Sequence, residues 1–259
     1  MPLTAQGGNL SLAHGEVYFD RYTALGAKTG ERLLGNVTKL AISATVETKE
    51  MYDSTTAAGA LLARAVIRAT SELTLTLTEY EANNLALMLL GTADEYTQGS
   101  TPVVDELLNG GVAVPSADAW YPVASRKITA ITVKVLAVTK ALGTDYQVDA
   151  DTGRIYIIKG GTIVPGTDIV KVSYTPTAIV TGSGLARAKA GLVGKIEGYL
   201  RFIGKPVSGP GFELMIYKVN LTPDGELNFI SEEWGEYQLK GAILADGVHT
   251  ELYQLMKVA

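Results

Sequence analysis

Cysteine is missing from all 259 residues. Its absence removes disulfides, thiolate nucleophiles and zinc-thiolate sites together, so stability has to come from packing or from assembly. Histidine is nearly as scarce, with only His14 and His249 present. His14 stands in a stretch read as an N-terminal arm, and His249 follows the turn Asp246-Gly247. Neither has local partners for general-base work, and both read as exposed loop histidines. Positive charge is also short, with 22 Lys and Arg against 27 Asp and Glu and a formal net charge of −5. A static grip on nucleic acid needs a basic patch that neutralises phosphates, so the balance disfavours that role while leaving room for nucleic acid to pass unheld. No basic stretch followed by an apolar run opens the chain. The longest unbroken aliphatic run, Leu85 to Leu90, is far shorter than the ~20 residues of a bilayer span. The expectation is a chain neither secreted by that route nor membrane-spanning.

What is present is alternation. With 47% hydrophobic and 19% charged residues, the chain is long enough for one large or two modest domains with a real core. In Val37 to Glu47, Leu40, Ile42, Ala44 and Val46 share one face, and Lys39, Ala41, Ser43, Thr45 and Glu47 the other. Leu73, Leu75 and Leu77 alternate in the same way with Glu72, Thr74, Thr76 and Thr78. The two outer faces are rich in small hydroxyl residues. Further strands are predicted at Lys195 to Ile203, Phe212 to Leu221, Trp234 to Leu244 and Leu252 to Val258, joined by the Pro/Gly turns "GKPVSGPG" and "TPDGEL". The architecture is mainly antiparallel β.

One helix is predicted over 79–90, with Thr78 and Glu81 at capping-box spacing and Gly91 as its stop. Between the first two strands, 48–70 is long for a hairpin connection. It reads either as strands that simply run on to a mobile tip or as an arm that contacts a partner, and the two are compatible. From about Pro115 the character changes. Val-, Ile-, Thr- and Tyr-rich runs at Ile128 to Thr139, Tyr146 to Val148, Arg154 to Ile158 and Ile169 to Thr175, with "PSADAWYP" and "TGSGLARAKAG" around them, predict a small β module inserted in a larger β domain. Alternatively, its strands join the main sheets.

Chemistry-bearing motifs are weak. Asp151-Thr152-Gly153 is the tripeptide of aspartic proteases, but one copy preceded by Asp-Ala reads as a hairpin turn. The same stretch fails the EF-hand pattern, with Gly160 where a glutamate is needed. "GLVGKIEG" has Lys189 and Ile196 where a phosphate loop needs Gly and Ser or Thr. Glu232 and Glu233 are adjacent, so on a strand they face opposite ways rather than sharing a cleft. No catalytic, cofactor or metal residue is assigned.

The order "GEVYFDRY", "ERLLGNVTKLAISATVETKEMYDSTTAAG", a long arm, "SELTLTLTEYEANNLALMLLG", then "GYLRFIGKPVSGPGFELMIYKVNLTPDGELNFISEEWGEYQLKGAIL" resembles the major tail tube protein of long-tailed bacteriophages, over roughly residues 15 to 92 and 195 to 245. The resemblance implies the β-sandwich or barrel tail-tube fold, shared with type VI secretion tube proteins, with one flanking helix. Its tube domain would comprise 1–114 and 179–259, interrupted by the immunoglobulin-like β module read from the residues at 115–178, which has no counterpart in the minimal family member. It further implies hexameric rings stacked into a tube around a tape-measure protein, with tail terminator and distal tail proteins at the ends and viral DNA passing through. The expected place is the virion tail, assembled in the host bacterial cytoplasm. Carried over, 48–70 becomes the ring-stacking arm, with Lys49, Glu50, Met51, Tyr52, Asp53, Arg64 and Arg68 as its contacts. Ser43, Thr45, Thr74, Thr76 and Thr78 become a candidate lumen face, since hydroxyls stay wet without gripping phosphate. No enzyme activity and no cofactor are expected. The competing reading is a ligand-binding β-sandwich of carbohydrate-binding or adhesin type. Against it, Trp120 and Trp234, the only tryptophans, share no obvious surface.

Overall fold

The predicted alternation becomes antiparallel strands over about half of the chain. The computed structural model describes residues 13–55 and 59–258, which fall into two compact units, Met1–Asp94 with Ala188–Ala259, and Glu95–Arg187. Among the described residues no helix is long and apolar enough to cross a membrane.

The first unit is built on one antiparallel sheet of eight strands. These are β1 (Gly15–Arg21), β2 (Arg32–Leu33), β3 (Val37–Tyr52), β4 (Leu61–Leu77), β14 (Ile196–Gly204), β15 (Gly211–Asp224), β16 (Tyr237–Ile243) and β17 (Tyr253–Val258). Their order is β2-β1-β14-β15-β16-β4-β3, with β17 also paired to β15. "GEVYFDRY", read as part of an N-terminal arm, is mostly β1, paired with β14 along its whole length because Val17 and Phe19 bring apolar side chains to the core. Residues 1–12, which the arm reading included, lie outside the described residues. Trp234 begins no strand; β16 starts three residues later at Tyr237, where alternation with the core resumes.

β15 is long enough to serve two neighbours. Gly211 to Ile216 pair with β17, Val219 to Asp224 pair with β16, and the register against β14 slips between these halves. Such a bulge bends a strand and re-aims its ends. One apolar face covers a core in which Leu73, Leu75, Leu77, Leu200, Ile216, Leu221 and Leu239 are fully buried.

The helix α1 (Ala82–Met88) is shorter than predicted, and the capping box does not form. Thr78 is occupied elsewhere. Its N–H donates to the Asn36 carbonyl, and its hydroxyl accepts from Asn36 Nδ2 at 2.8 Å. Glu81 takes the N-cap position without a side-chain cap and turns outward to Arg32, 2.9 Å away. At the other end, the left-handed residue is Leu90 (φ 48°) rather than Gly91. Gly91 N–H donates to Ala86 O and Leu90 N–H to Leu87 O, the paired bonds of a Schellman stop. Gly191 and Val193 donate to the carbonyls of Leu89 and Leu90. Gly91 is needed for close approach, since a Cβ there would lie 1.8 Å from the Lys189 carbonyl oxygen.

The chain leaves the first unit along β5 (Thr92–Glu95) and returns along β13 (Ala186–Lys189), which pair with each other. The second unit has two antiparallel sheets of its own, so its strands do not join the main sheet. One contains β7 (Ala119–Pro122), β10 (Tyr146–Asp149) and β11 (Arg154–Ile157). The other contains β6 (Val103–Leu107), β8 (Ile128–Val135), β9 (Val138–Thr139) and β12 (Val170–Pro176). Side chains from both sheets, among them Val133, Ile155, Ile157, Val170, Val172 and Tyr174, form one core. The unit is wider than the predicted 115–178 because β6 pairs with β12 and Gln98 bridges to Ile179. Asp145, 4% exposed, fixes the 141–145 turn, accepting from the backbone N–H of Ala141 at 2.8 Å and of Thr162 at 2.7 Å.

Two predictions follow from these contacts. Gly91→Ala is expected to lower stability by about 1–3 kcal/mol, because backbone must move to admit the methyl; thermal and denaturant melts measure it. For Asp145, hydrogen bonds from Thr162 and then Ala141 hold the carboxyl below its usual range. Its contribution is therefore complete above a pH of about 4 and is lost as pH falls through the lowered value. Asp145→Asn leaves one N–H facing an NH2. It should cost about 1–3 kcal/mol at neutral pH and flatten the acid decline of the second unit, read from denaturant melts across pH.

Candidate functional site

The most unusual surface is the outer half of the β3–β4 hairpin. The two strands stay in antiparallel register from Val37↔Leu77 out to Tyr52↔Leu61, and Asp53 N–H donates to Ala60 O at 2.7 Å to close the end. Of the two readings of 48–70, continued strands therefore describe it, although residues 56–58 lie outside the described residues. The inner half is anchored by Leu73, Leu75 and Leu77. Every residue from Leu61 to Thr70 is exposed. The ribbon beyond Thr45 and Thr70 extends about 25 Å at ~3.3 Å per residue.

The candidate arm residues all sit on that ribbon. Lys49, Glu50, Met51, Tyr52, Arg64 and Arg68 are exposed and Asp53 is half-buried. Glu50 lies opposite Arg64 at 3.6 Å and accepts from the Tyr52 hydroxyl at 2.5 Å, and Glu47 stands in register with Arg68. Interleaved with these charges are the exposed side chains of Val46, Leu61, Leu62, Val66 and Ile67. One extra β4 residue enters between Thr48 and Glu47, and another between Met51 and Tyr52, so the ribbon carries two bulges. Bulges twist a strand and deter uncontrolled edge pairing.

The candidate lumen residues are less uniform than alternation implied. Ser43 and Thr45 are exposed and Thr74 is half-buried, but Thr76 is only 3% exposed. It stands between its register partners Lys39 and Gln238, which flank it from the neighbouring strands. Thr78 lies beyond β4, bonded to Asn36. Nor is the face free of charge. Lys39, Glu72 and Lys240 stand in register with these hydroxyls, and Lys240 pairs with Asp224 at 3.4 Å. Period two put the threonines on one face; it could not show that the neighbouring strand β16 adds Gln238 and Lys240 beside them.

The weaker motifs resolve simply. Asp149 to Gly153 is the turn between β10 and β11, where Thr152 and Arg154 donate to Asp149 and draw its carboxyl down to about 2. Glu232 and Glu233 are both exposed in a bend. His14 is exposed, whereas His249 is less isolated than its sequence context implied. Its Nδ1 lies 2.7 Å from Asp246 Oδ2, and its ring stacks on Tyr217 at 3.7 Å. Among the described residues no cluster of His, Asp and Glu has the makings of a metal site. In the stretch between β15 and β16, read from sequence as a turn and a solvated acidic pair ahead of a strand at Trp234, the exposed apolar side chains were missed. Ile230 and Trp234 there are 97% and 95% exposed. The available signal was four large apolar residues among four glutamates, with no basic residue, between two strands.

These features define an antiparallel β protein of two units whose distinguishing surface is an exposed, self-paired hairpin. Residues 10–255 match the family described as "Protein of unknown function UCP028589", and the chain belongs to that family. No curated protein matches it.

The burial difference along the hydroxyl face is testable by charge insertion. Thr45→Lys should change stability by no more than about 0.5 kcal/mol, whereas Thr76→Lys, at a covered position, should cost at least ~1 kcal/mol. Denaturant melts of the two variants provide the comparison.

Proposed function

We propose that the protein is a non-catalytic structural subunit that assembles into stacked hexameric rings, the hollow tail tube of a long-tailed bacteriophage. One observation carries this reading: the outer half of the β3–β4 hairpin has no core of its own. A two-stranded ribbon is marginal in water, and this one presents Met51, Leu61, Leu62, Val66 and Ile67 to solvent. A neighbouring ring would cover it, and its alternating charges would set the docking register.

In this reading the eight-stranded sheet, which branches where β15 passes from β17 to β16, folds over into the β-sandwich or barrel of the tail-tube fold with α1 at its flank, and the second unit is an immunoglobulin-like insert. Ser43, Thr45 and Thr74 belong to a lumen wall whose charges are mixed in sign, an arrangement that holds water without accumulating the positive charge that grips phosphate. The partners are further copies of the chain, a tape-measure protein, tail terminator and distal tail proteins, with viral DNA passing through. The working place is the virion tail, after assembly in the host bacterial cytoplasm.

A ligand-binding β-sandwich is the second reading. It draws support from Trp120, which is exposed and stands 5.1 Å from Tyr156 across β7 and β11. Exposed aromatic pairs are common elements of binding surfaces.

Negative-stain electron microscopy of the purified protein separates the two. Rings or tubes with a central hole are expected. Ile67→Asp, an exposed substitution, should leave the melting temperature within the ~0.5 kcal/mol scatter of surface changes while converting tubes to single rings. A wild-type protein that stays monomeric and binds glycan would overturn the tube reading.

A further inference from the structure

A half-buried arginine and an acidic apolar loop on the same unit have no satisfactory occupant and no satisfactory receptor within one chain. Arg21, the last residue of β1, lines an open cleft of about 630 Å³ together with Tyr22, Leu192, Val193, Lys195 and Glu197. Its Nη1 donates to the Gly91 carbonyl at 2.9 Å. Burial alone draws the guanidinium below its ordinary value, and among the described residues no carboxylate offsets that. The one acid in the cleft, Glu197, is already held between Lys195 at 3.2 Å and Lys218 at 3.4 Å. The cleft thus combines surplus positive charge with apolar walls. A partly desolvated cation gains most from a carboxylate that arrives with its own apolar cover.

The loop from Gly225 to Glu236 has the complementary character. It carries Glu226, Glu232, Glu233 and Glu236 and no basic residue, and it holds Phe229, Ile230 and Trp234 out in solvent. Its base is fixed on the β4 side by the Tyr80 hydroxyl, which donates to Asn228 O at 3.0 Å. Register places loop and cleft at the same end of the sheet. Arg21 pairs with Gly198 near the start of β14, Ile196 pairs with Leu221, and β15 then runs on to Asp224 and into the loop. Two different patches at one level, on β1 and beyond β15, are what a head-to-tail contact around a ring requires.

We propose that this loop of one copy seats in the Arg21 cleft of the next, Glu233 pairing with Arg21 and Trp234 covering Leu192 and Val193. The inference rests on the self-assembly reading and names the lateral contact within a ring, distinct from the hairpin contact between rings. The acid and the apolar cover come from the partner copy, so the cleft is incomplete in a single chain.

The absence of cysteine makes the test direct. A Leu192→Cys and Trp234→Cys double variant, oxidised under conditions in which the wild type assembles, should give a ladder of covalent oligomers on non-reducing gels. An equal mixture of the two single variants should stop at dimers. In parallel, Glu233→Arg, which alters an exposed side chain, should raise the protein concentration needed for assembly by at least ~30-fold, and adding Arg21→Glu should restore it. Particles visible by electron microscopy without interchain disulfides, or with assembly unchanged by Glu233→Arg, would overturn this contact while leaving the tube reading intact. A wild-type protein that never assembles would overturn both, and would be recognised before any variant is made.

Discussion

Leu73, Leu75 and Leu77 hold the rest of the first unit in place. They lie on β4, one strand in from the β3 edge of the sheet and between β3 and β16, and have no measurable exposure. From that anchor the same two strands run outward with nothing beneath them, so one continuous hairpin is core at one end and surface at the other. Backbone hydrogen bonding carries order from the anchored half to the free half. The free half is therefore presented at a set angle and register without a core of its own.

β15 divides the labour in a second direction. Its bulge lets one strand pair with β17 over its first half and β16 over its second, and so leads the chain into the exposed loop after Asp224. β1 ends near the same level at Arg21 because it follows β14 without a slip in register. The positions of the acidic loop and the arginine cleft are thus consequences of strand length and of one bulge.

Much of this was legible in the sequence, for a physical reason. Strands buried on one face must alternate, so Leu40 with Ile42, the leucines of β4 and the runs of the second unit announced themselves. The boundaries that failed were those set by partners distant in sequence. Thr78 and Glu81 have capping-box spacing, but Asn36 and Arg32, more than forty residues earlier, engage them instead. Gly91 was recognised as a stop but for the wrong cause, because the approach of Lys189 cannot be read from a local pattern. Thr76 looked solvent-facing because period two reports a face and is silent on the strands either side, which place Lys39 and Gln238 in register with it. The exposed hairpin was legible as an unusually long connection; the acidic loop was not, because a predicted strand beginning at Trp234 absorbed its most telling residue.

If neighbouring copies cover these surfaces, as proposed, the isolated chain must first keep them from associating at random. Charge is placed where it can keep the hairpin from pairing at random: Glu47 with Arg68 and Glu50 with Arg64 interrupt the apolar positions, and two bulges twist the strands. The acidic loop is protected in the same manner, since four glutamates around Phe229, Ile230 and Trp234 make like loops repel one another. That repulsion is selective. It disfavours loop-to-loop contacts and leaves a basic cleft as the better receptor, so in the proposed ring the charge that keeps isolated chains apart would also direct head-to-tail association. Because these charges lie largely at the surface, added salt would weaken both the repulsion and the guidance, and the proposed assembly would then depend increasingly on the shape of its apolar contacts.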